Sequence, residues 1–196
     1  MIGKIILGCI ISYFLGSIPF SYIIAKKVKG VDLRLVGEGN VGGRNVWHVV
    51  GKKYGVLAAL LDVFKGFLSY WVGFFLGLSP WWVWLCGFSC VLGHGYPIFL
   101  KGRGGKGAAS AMGFLLAMQP LVILVSGLLI GAVYLPFRRF HLAIGIGMAS
   151  IPILWFAVLK KSWLELAILL AFLLSLGLKR IIDEPYMRRV KQESGW

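Results

Sequence analysis

The stretch Gly93 to Gly113, GHGYPIFLKGRGGKGAASAMG, sets Lys101, Arg103 and Lys106 among glycines and runs directly into an apolar helical pattern. Glycine lets backbone N–H groups wrap an oxyanion, and a helix start adds the positive end of its dipole. Gly104, Gly105, Lys106 and Gly107 therefore read as a nest for a phosphate-sized anion, with Lys101 adding charge and Ser110 a hydroxyl in the first helical turn. The same residues imitate a nucleotide P-loop. However, Leu100 stands five positions before Gly105, and Gly107 stands where the Ser or Thr that holds Mg²⁺ belongs. ATP is excluded on that ground, and no carboxylate or cysteine cluster has metal-ligand spacing, so neither a metal nor a cofactor is expected.

Two further groups could do chemistry. Asp62 and Lys65 interrupt an apolar helix three residues apart, hence on one face. Charges inside a membrane are costly and face a polar interior, which makes the pair a functional candidate; the alternative is an ion pair that serves registry alone. Counted from Tyr54, the pair lies about 12–16 Å deep, and His94 on the following span reaches a similar depth. The loop Gly37 to Asn45, GEGNVGGRN, contains a formal G-x-G-x-x-G, but it follows an apolar helix and a polar linker, not a strand, so a dinucleotide site is excluded. Asn40, Arg44 and Asn45 among these glycines suit an anion-binding or carbonyl-polarising turn, against the plainer alternative of a connecting loop. No G-x-S-x-G elbow and no His followed four residues later by Asp supplies a nucleophile or its partner. Chemistry with these groups must rest on positioning and charge stabilisation.

Apolar helices have to carry these residues. Of 196 residues 59% are hydrophobic and 14% charged, with a mean hydropathy of +0.84, far more apolar material than a soluble domain of this size buries. The reading is an all-α polytopic membrane protein, one domain over residues 1–196, without repeats or linkers. The net charge of +14 falls in short clusters between apolar spans, which is the loop bias of membrane proteins and not a nucleic-acid footprint. Cys9, Cys86 and Cys90 sit in apolar stretches and read as buried thiols. The start MIGKIILGC has too short a region before Cys9 for a lipoprotein signal and is expected to be a retained span.

Spans are expected at Ile5–Ala25, Tyr54–Leu78, Trp81–Leu100, Leu142–Leu159 and Trp163–Leu178, with Ala108–Phe137 either one long helix or two short ones parted at Gln119-Pro120. Two short helices give seven spans, an outside N-terminus, a cytoplasmic C-terminus, and 17 of the 21 lysines and arginines inside. One long helix gives six spans with 12 inside and 8 outside. The positive-inside rule selects seven. Its cost is Lys160-Lys161 on the outer side, offset by Glu165 in the next helix's first turn. Both glycine-rich loops then face the cytoplasm.

At these residues the chain resembles the bacterial membrane-embedded glycerol-3-phosphate acyltransferases that use acyl phosphate, the PlsY family. VDLRLVGEGNVGGRNVWHVVGKKYGVLAALLDVFKG (Val31 to Gly66) is similar to that family's first cytoplasmic motif and LDxxKG helix, GHGYPIFLKGRGGKGAASAMG to its phosphate loop, and GSIPF (Gly16 to Phe20) precedes both in register. The resemblance implies attack of the 1-hydroxyl of glycerol 3-phosphate on an acyl phosphate, releasing lysophosphatidate and phosphate without coenzyme A, carrier protein or metal, at a cytoplasm-facing site in the inner membrane. It carries over to Gly39, Asn40, Gly42, Asn45, Asp62, Lys65, His94 and Gly104 to Gly107.

The departures are local. The family's Ser is Glu38, its Ala-Thr pair is Gly43-Arg44, its last Arg is His48, and the C-terminal motif has become KRIIDEPYMRRVKQESGW. Glu38 should repel a phosphate unless Arg44 neutralises it. Arg44 could replace the lost arginine and keep the activity, the acceptor could be another phosphorylated alcohol, or the chain could be a non-catalytic anion- or lipid-binding protein or transporter. The expectation carried forward is an acyltransferase in which Lys106 and the Gly104–Gly107 amides grip one phosphate, and Lys65 with Arg44 the second or the oxyanion. His94 or the substrate's phosphate takes the proton, and Asp62 orients Lys65 or His94. Glycerol 3-phosphate, acyl phosphate and membrane lipid are the expected partners, nucleic acid is not, and a monomer suffices.

Overall fold

The computed structural model describes residues 1–160 and 162–196, the side chains of residues 140 and 141 aside. Among these residues all regular structure is helical. The helices are α1 (Ile2–Ser17), α2 (Phe20–Lys29), α3 (Gly43–Val49), α4 (Lys52–Phe75), α5 (Pro80–Gly95), α6 (Ala108–Met118), α7 (Pro120–Phe137), α8 (Phe140–Ile153) and α9 (Trp163–Glu193), with a 3₁₀ turn at Ile98–Leu100 and a π turn at Leu154–Val158. Four stretches are long and apolar enough to cross a membrane: Ile2–Lys29, Lys52–Phe75, Pro80–Leu100 and Pro120–Phe137, with shorter apolar helices at Ala108–Met118 and Leu142–Val158. Lys161, half of the positive pair expected on the outer side, lies outside the described residues.

Packing divides the chain into two compact units, residues 1–114 with 176–196, and residues 115–175. In the first, α1, α4 and α5 pack on one another while α2 and α3 lie against α4. This unit is inverted relative to a soluble core: Ser12, Ser17, Ser21, Asp62, Lys65, Ser69 and His94 are buried, while Phe64, Phe74, Phe75 and Leu92 are exposed. Apolar solvent outside and a charged cluster of Asp62, Lys65 and His94 inside account for that distribution. Close helix approach needs missing side chains: a Cβ at Gly16 would strike the Cys90 carbonyl, and one at Gly93 the Tyr13 carbonyl.

The first expected span, Ile5–Ala25, is not one helix. Pro19 cannot donate and disfavours helical geometry in Ile18, which adopts φ −63°, ψ 112°, so α1 stops and α2 restarts. The stop leaves helix-end carbonyls without partners inside the membrane. Ala108–Phe137 is likewise two helices, broken at Gln119 (φ −143°, ψ 76°) with Pro120 opening α7, where its missing N–H costs nothing.

In the second unit α7 packs on α8, and Ser150 Oγ donates to Ser126 Oγ at 2.8 Å across that contact. Ser162 and Glu165 form a reciprocal capping box at the start of α9: the Ser162 N–H donates to Glu165 Oε2 at 3.1 Å and the Glu165 N–H to Ser162 Oγ at 3.2 Å. α9 runs four turns beyond the expected Leu178 to Glu193. Pairs four residues apart, Lys179 with Asp183, Glu184 with Arg188 and Arg189 with Glu193, support the polar extension.

Candidate active site

Asn45 organises the first glycine loop. Fully buried in α3, its Oδ1 accepts the Glu38 N–H at 2.9 Å, and its Nδ2 donates to the carbonyls of Leu33, Val36 and Asn40 at 3.0–3.1 Å. Both ends of the amide are thus spent on the chain itself, which turns the expected phosphate ligand into the staple of the loop. Asn40 is different: its Oδ1 is buried and has no protein hydrogen-bond partner among the described residues. Glu38 is also buried and meets the Arg44 guanidinium, with Nε 3.0 Å from Oε1. The expected neutralisation of Glu38 by Arg44 is what the geometry provides.

Lys65 points to the α1 break. Its ammonium donates to the Gly16 carbonyl at 2.8 Å and the Ile18 carbonyl at 3.0 Å, and pairs with Asp62 Oδ1 at 3.0 Å. Three partners account for its three donors, so the structure joins Lys65 to the end of α1 and not to Arg44. Asp62 sits at the centre of the cluster. Its Oδ2 accepts from Ser21 Oγ at 3.3 Å, and its Oδ1 lies 3.6 Å from His94 Nδ1.

Ser110 Oγ, from the first turn of α6, reaches the same His94 nitrogen at 3.3 Å. Ser110, His94 and Asp62 are therefore no catalytic triad, which requires the serine and the carboxylate on opposite ring nitrogens. Nε2 instead faces the second glycine loop: a Cβ at Gly105 would meet both His94 Nε2 and the Val41 carbonyl. That contact brings the two glycine loops and the membrane-buried charges to one place. A small cleft opens there, lined by Ser17, Ser21, Val41, Asp62, His94 and Gly104 among others.

The second loop divides its labour. The N–H groups of Gly104 and Gly105 donate to the carbonyls of Gly95 and His94, at 3.1 and 3.0 Å, closing the C-terminus of α5. These two amides cap a helix, in contrast to the expected phosphate grip. Gly107, with φ +80°, turns the chain into α6. Lys106 is half-buried beside Glu38, Arg44, Arg180 and Glu184. Burial holds its ammonium below the usual lysine range, and the neighbouring Glu38 carboxylate opposes that. Lys101 ends the 3₁₀ turn in a left-handed conformation, φ +54°, exposed to solvent and without a described contact to this cluster.

Residues beyond the expected set come from the end of α9. Buried Lys179 lies 4.6 Å above the Tyr96 ring and pairs with Asp183. Tyr186 donates to the Arg34 carbonyl at 2.7 Å, Arg103 stacks over Tyr186 at 5.5 Å, and Val190 abuts Gly39. The signal for these contacts was the run of i,i+4 charge pairs past Leu178, which continues the helix toward both loops.

The family model described as glycerol-3-phosphate acyltransferase matches residues 6–183. The chain is 40% identical over 185 residues to glycerol-3-phosphate acyltransferase 1 of Dehalococcoides mccartyi, covering 90% of this chain and 88% of that one. It is 47% identical over 135 residues to the Aquifex aeolicus glycerol-3-phosphate acyltransferase, covering 68% and 70%. Among solved structures it is similar to PlsY (YgiH), an integral membrane glycerol 3-phosphate acyltransferase. The glycerol 3-phosphate form matches with a TM-score of 0.80 and 36% identity, and the lysophosphatidic acid form with 0.78 and 34%, each over 97% of this chain and 93% of that one.

Proposed function

This chain belongs to the glycerol-3-phosphate acyltransferase family, and on that footing we propose that it transfers an acyl group from an acyl phosphate to the 1-hydroxyl of glycerol 3-phosphate. The hydroxyl oxygen bonds to the carbonyl carbon, the bond from that carbon to the phosphate oxygen breaks, and inorganic phosphate leaves with lysophosphatidate as the other product. A mixed anhydride carries its own good leaving group, so the enzyme's task is to hold two anions side by side and steady the developing oxyanion.

The observation that carries this reading is the approach of both glycine loops to His94, the first bearing Arg44 paired to Glu38 and the second bearing Lys106. Lys106 and Arg44 hold phosphate. His94 Nε2 or the substrate's own phosphate takes the hydroxyl proton, while Asp62 and Ser110 fix the imidazole through Nδ1 and Lys65 holds Asp62 in place. Asn40 Oδ1, buried with an open acceptor, suits a substrate hydroxyl. Seven spans in the bacterial inner membrane, N-terminus outside and both loops cytoplasmic, place these groups where both phosphorylated substrates are soluble or headgroup-bound. The charge distribution and the break at Gln119 support that topology. We read the chain as a single acyltransferase domain over residues 1–196.

Purified protein given acyl phosphate and glycerol 3-phosphate should release phosphate and lysophosphatidate in equal amounts. Anion movement across sealed vesicles with no ester formed would replace this reading with a transporter. Ester formed only from a different phosphorylated alcohol would reassign the acceptor.

A further inference from the structure

Glu38 is the one carboxylate of the first glycine loop, and burial makes it expensive. Its side chain is 3% exposed, whereas that of its partner Arg44 is 42% exposed. An ionised carboxylate out of water costs several kcal/mol unless cations repay it, and removing its partner strands it. Here the repayment comes from Arg44 at 3.0 Å and from the field of Lys106. Its position is rigid, since its backbone N–H is held by Asn45 and the side chain has little space to turn. Arg44 lacks that rigidity. It is the second residue of a seven-residue helix, half in solvent, with a long side chain whose rotamer freedom must be given up in any fixed pose.

We propose that Glu38 is a positioning residue that fixes the Arg44 guanidinium beside Lys106, so that both cations meet the substrate phosphate already in place. This rests on the acyl-transfer reading above. The carboxylate does subtract charge from a phosphate site, and by charge alone its removal should tighten binding. Pre-organisation wins because an arginine that must be ordered at each binding event gives back much of its charge-assisted hydrogen bonding. The two effects have opposite signs, so one measurement separates them.

The test is steady-state kinetics on Glu38→Gln with acyl phosphate and glycerol 3-phosphate varied in turn, alongside Arg44→Gln and the double variant. The KM for a phosphorylated substrate should rise about tenfold in Glu38→Gln, and the same substitution should change KM little in an Arg44→Gln background, where nothing is left to position. A lowered KM would mean that Glu38 acts as net repulsion, and an unchanged KM with a lowered unfolding temperature would make it structural only; either overturns the proposal. If Glu38→Gln does not accumulate folded, the charge-reversed pair Glu38→Arg with Arg44→Glu keeps the ion pair and decides instead. A raised KM supports positioning, and a wild-type KM refutes it. Wild-type protein that makes no ester at all would fail the acyl-transfer reading itself, a result distinct from all of these.

Discussion

Replacing Asn45 with Ala separates the two roles this residue could have. The structure assigns it four hydrogen bonds, one accepted from the Glu38 N–H and three donated to the Leu33, Val36 and Asn40 carbonyls, inside a loop it fills completely. Alanine strands one buried donor, the Glu38 N–H, and one buried acceptor, the Leu33 carbonyl, because the Val36 and Asn40 carbonyls also accept from the Gly39 and Gly42 N–H groups. At about 1–3 kcal/mol for each of these two groups, and with partial relaxation, the loop should lose about 3–4 kcal/mol of local stability. Because the helices on either side are anchored elsewhere, the loss should appear as local opening and not as global unfolding. That corresponds to amide exchange between Val31 and Gly51 accelerated about a hundred- to a thousandfold, with α4 and α5 unchanged. Hydrogen exchange by mass spectrometry, read beside the rate of lysophosphatidate formation, is the assay. Activity should fall with the opening. Were Asn45 a phosphate ligand, Asn45→Ala would raise KM while protection of the loop stayed at the wild-type level, and that result would refute the assignment.

The remaining expectations concern the charged cluster and the second loop. Lys65→Met should lower stability in detergent by about 3–5 kcal/mol, since it strands the Asp62 carboxylate and removes the donor to the Gly16 carbonyl; pairing it with Asp62→Asn should recover much of the loss. A Lys65→Met protein with wild-type stability and no turnover would instead place Lys65 on substrate. Gly105→Ala should abolish activity without unfolding the protein, because the methyl would push against His94 Nε2 and the Val41 carbonyl, and wild-type turnover would disprove that the loop lies on His94. Lys106 holds its proton less tightly than a free lysine. It is charged only below its own pKa, so phosphate affinity should fall as pH rises through a value under 10.5, and Lys106→Arg should remove that limb from a calorimetric binding profile.

Much of the site was readable as composition and punctuation. Glycine loops with cations, Asp62 and Lys65 three apart in an apolar helix, and His94 at matching depth all pointed to the same region, and the structure brings Asp62, Lys65 and His94 into direct contact. Gln119-Pro120 broke the helix where its proline permits. The destinations of the donors were not readable. Lys65 is satisfied by carbonyls 47 and 49 residues away, exposed by a helix break at Pro19 that hydropathy alone smooths over. Gly104 and Gly105 have the composition of a phosphate nest, yet their amides close α5, because a buried helix end has the prior claim on any nearby donor.

The sequence by itself therefore determined an all-helical chain suited to lipid, with polar groups confined to a few turns and loops, because apolar length, proline position and glycine content act locally. Tertiary structure alone decided where each polar side chain ends: Lys65 and Asn45 turn inward to backbone carbonyls of distant turns, while Arg44 pairs with Glu38. The reason is that leaving a buried donor or acceptor unpaired is costly, and which partner lies within hydrogen-bond reach is a property of how distant segments meet.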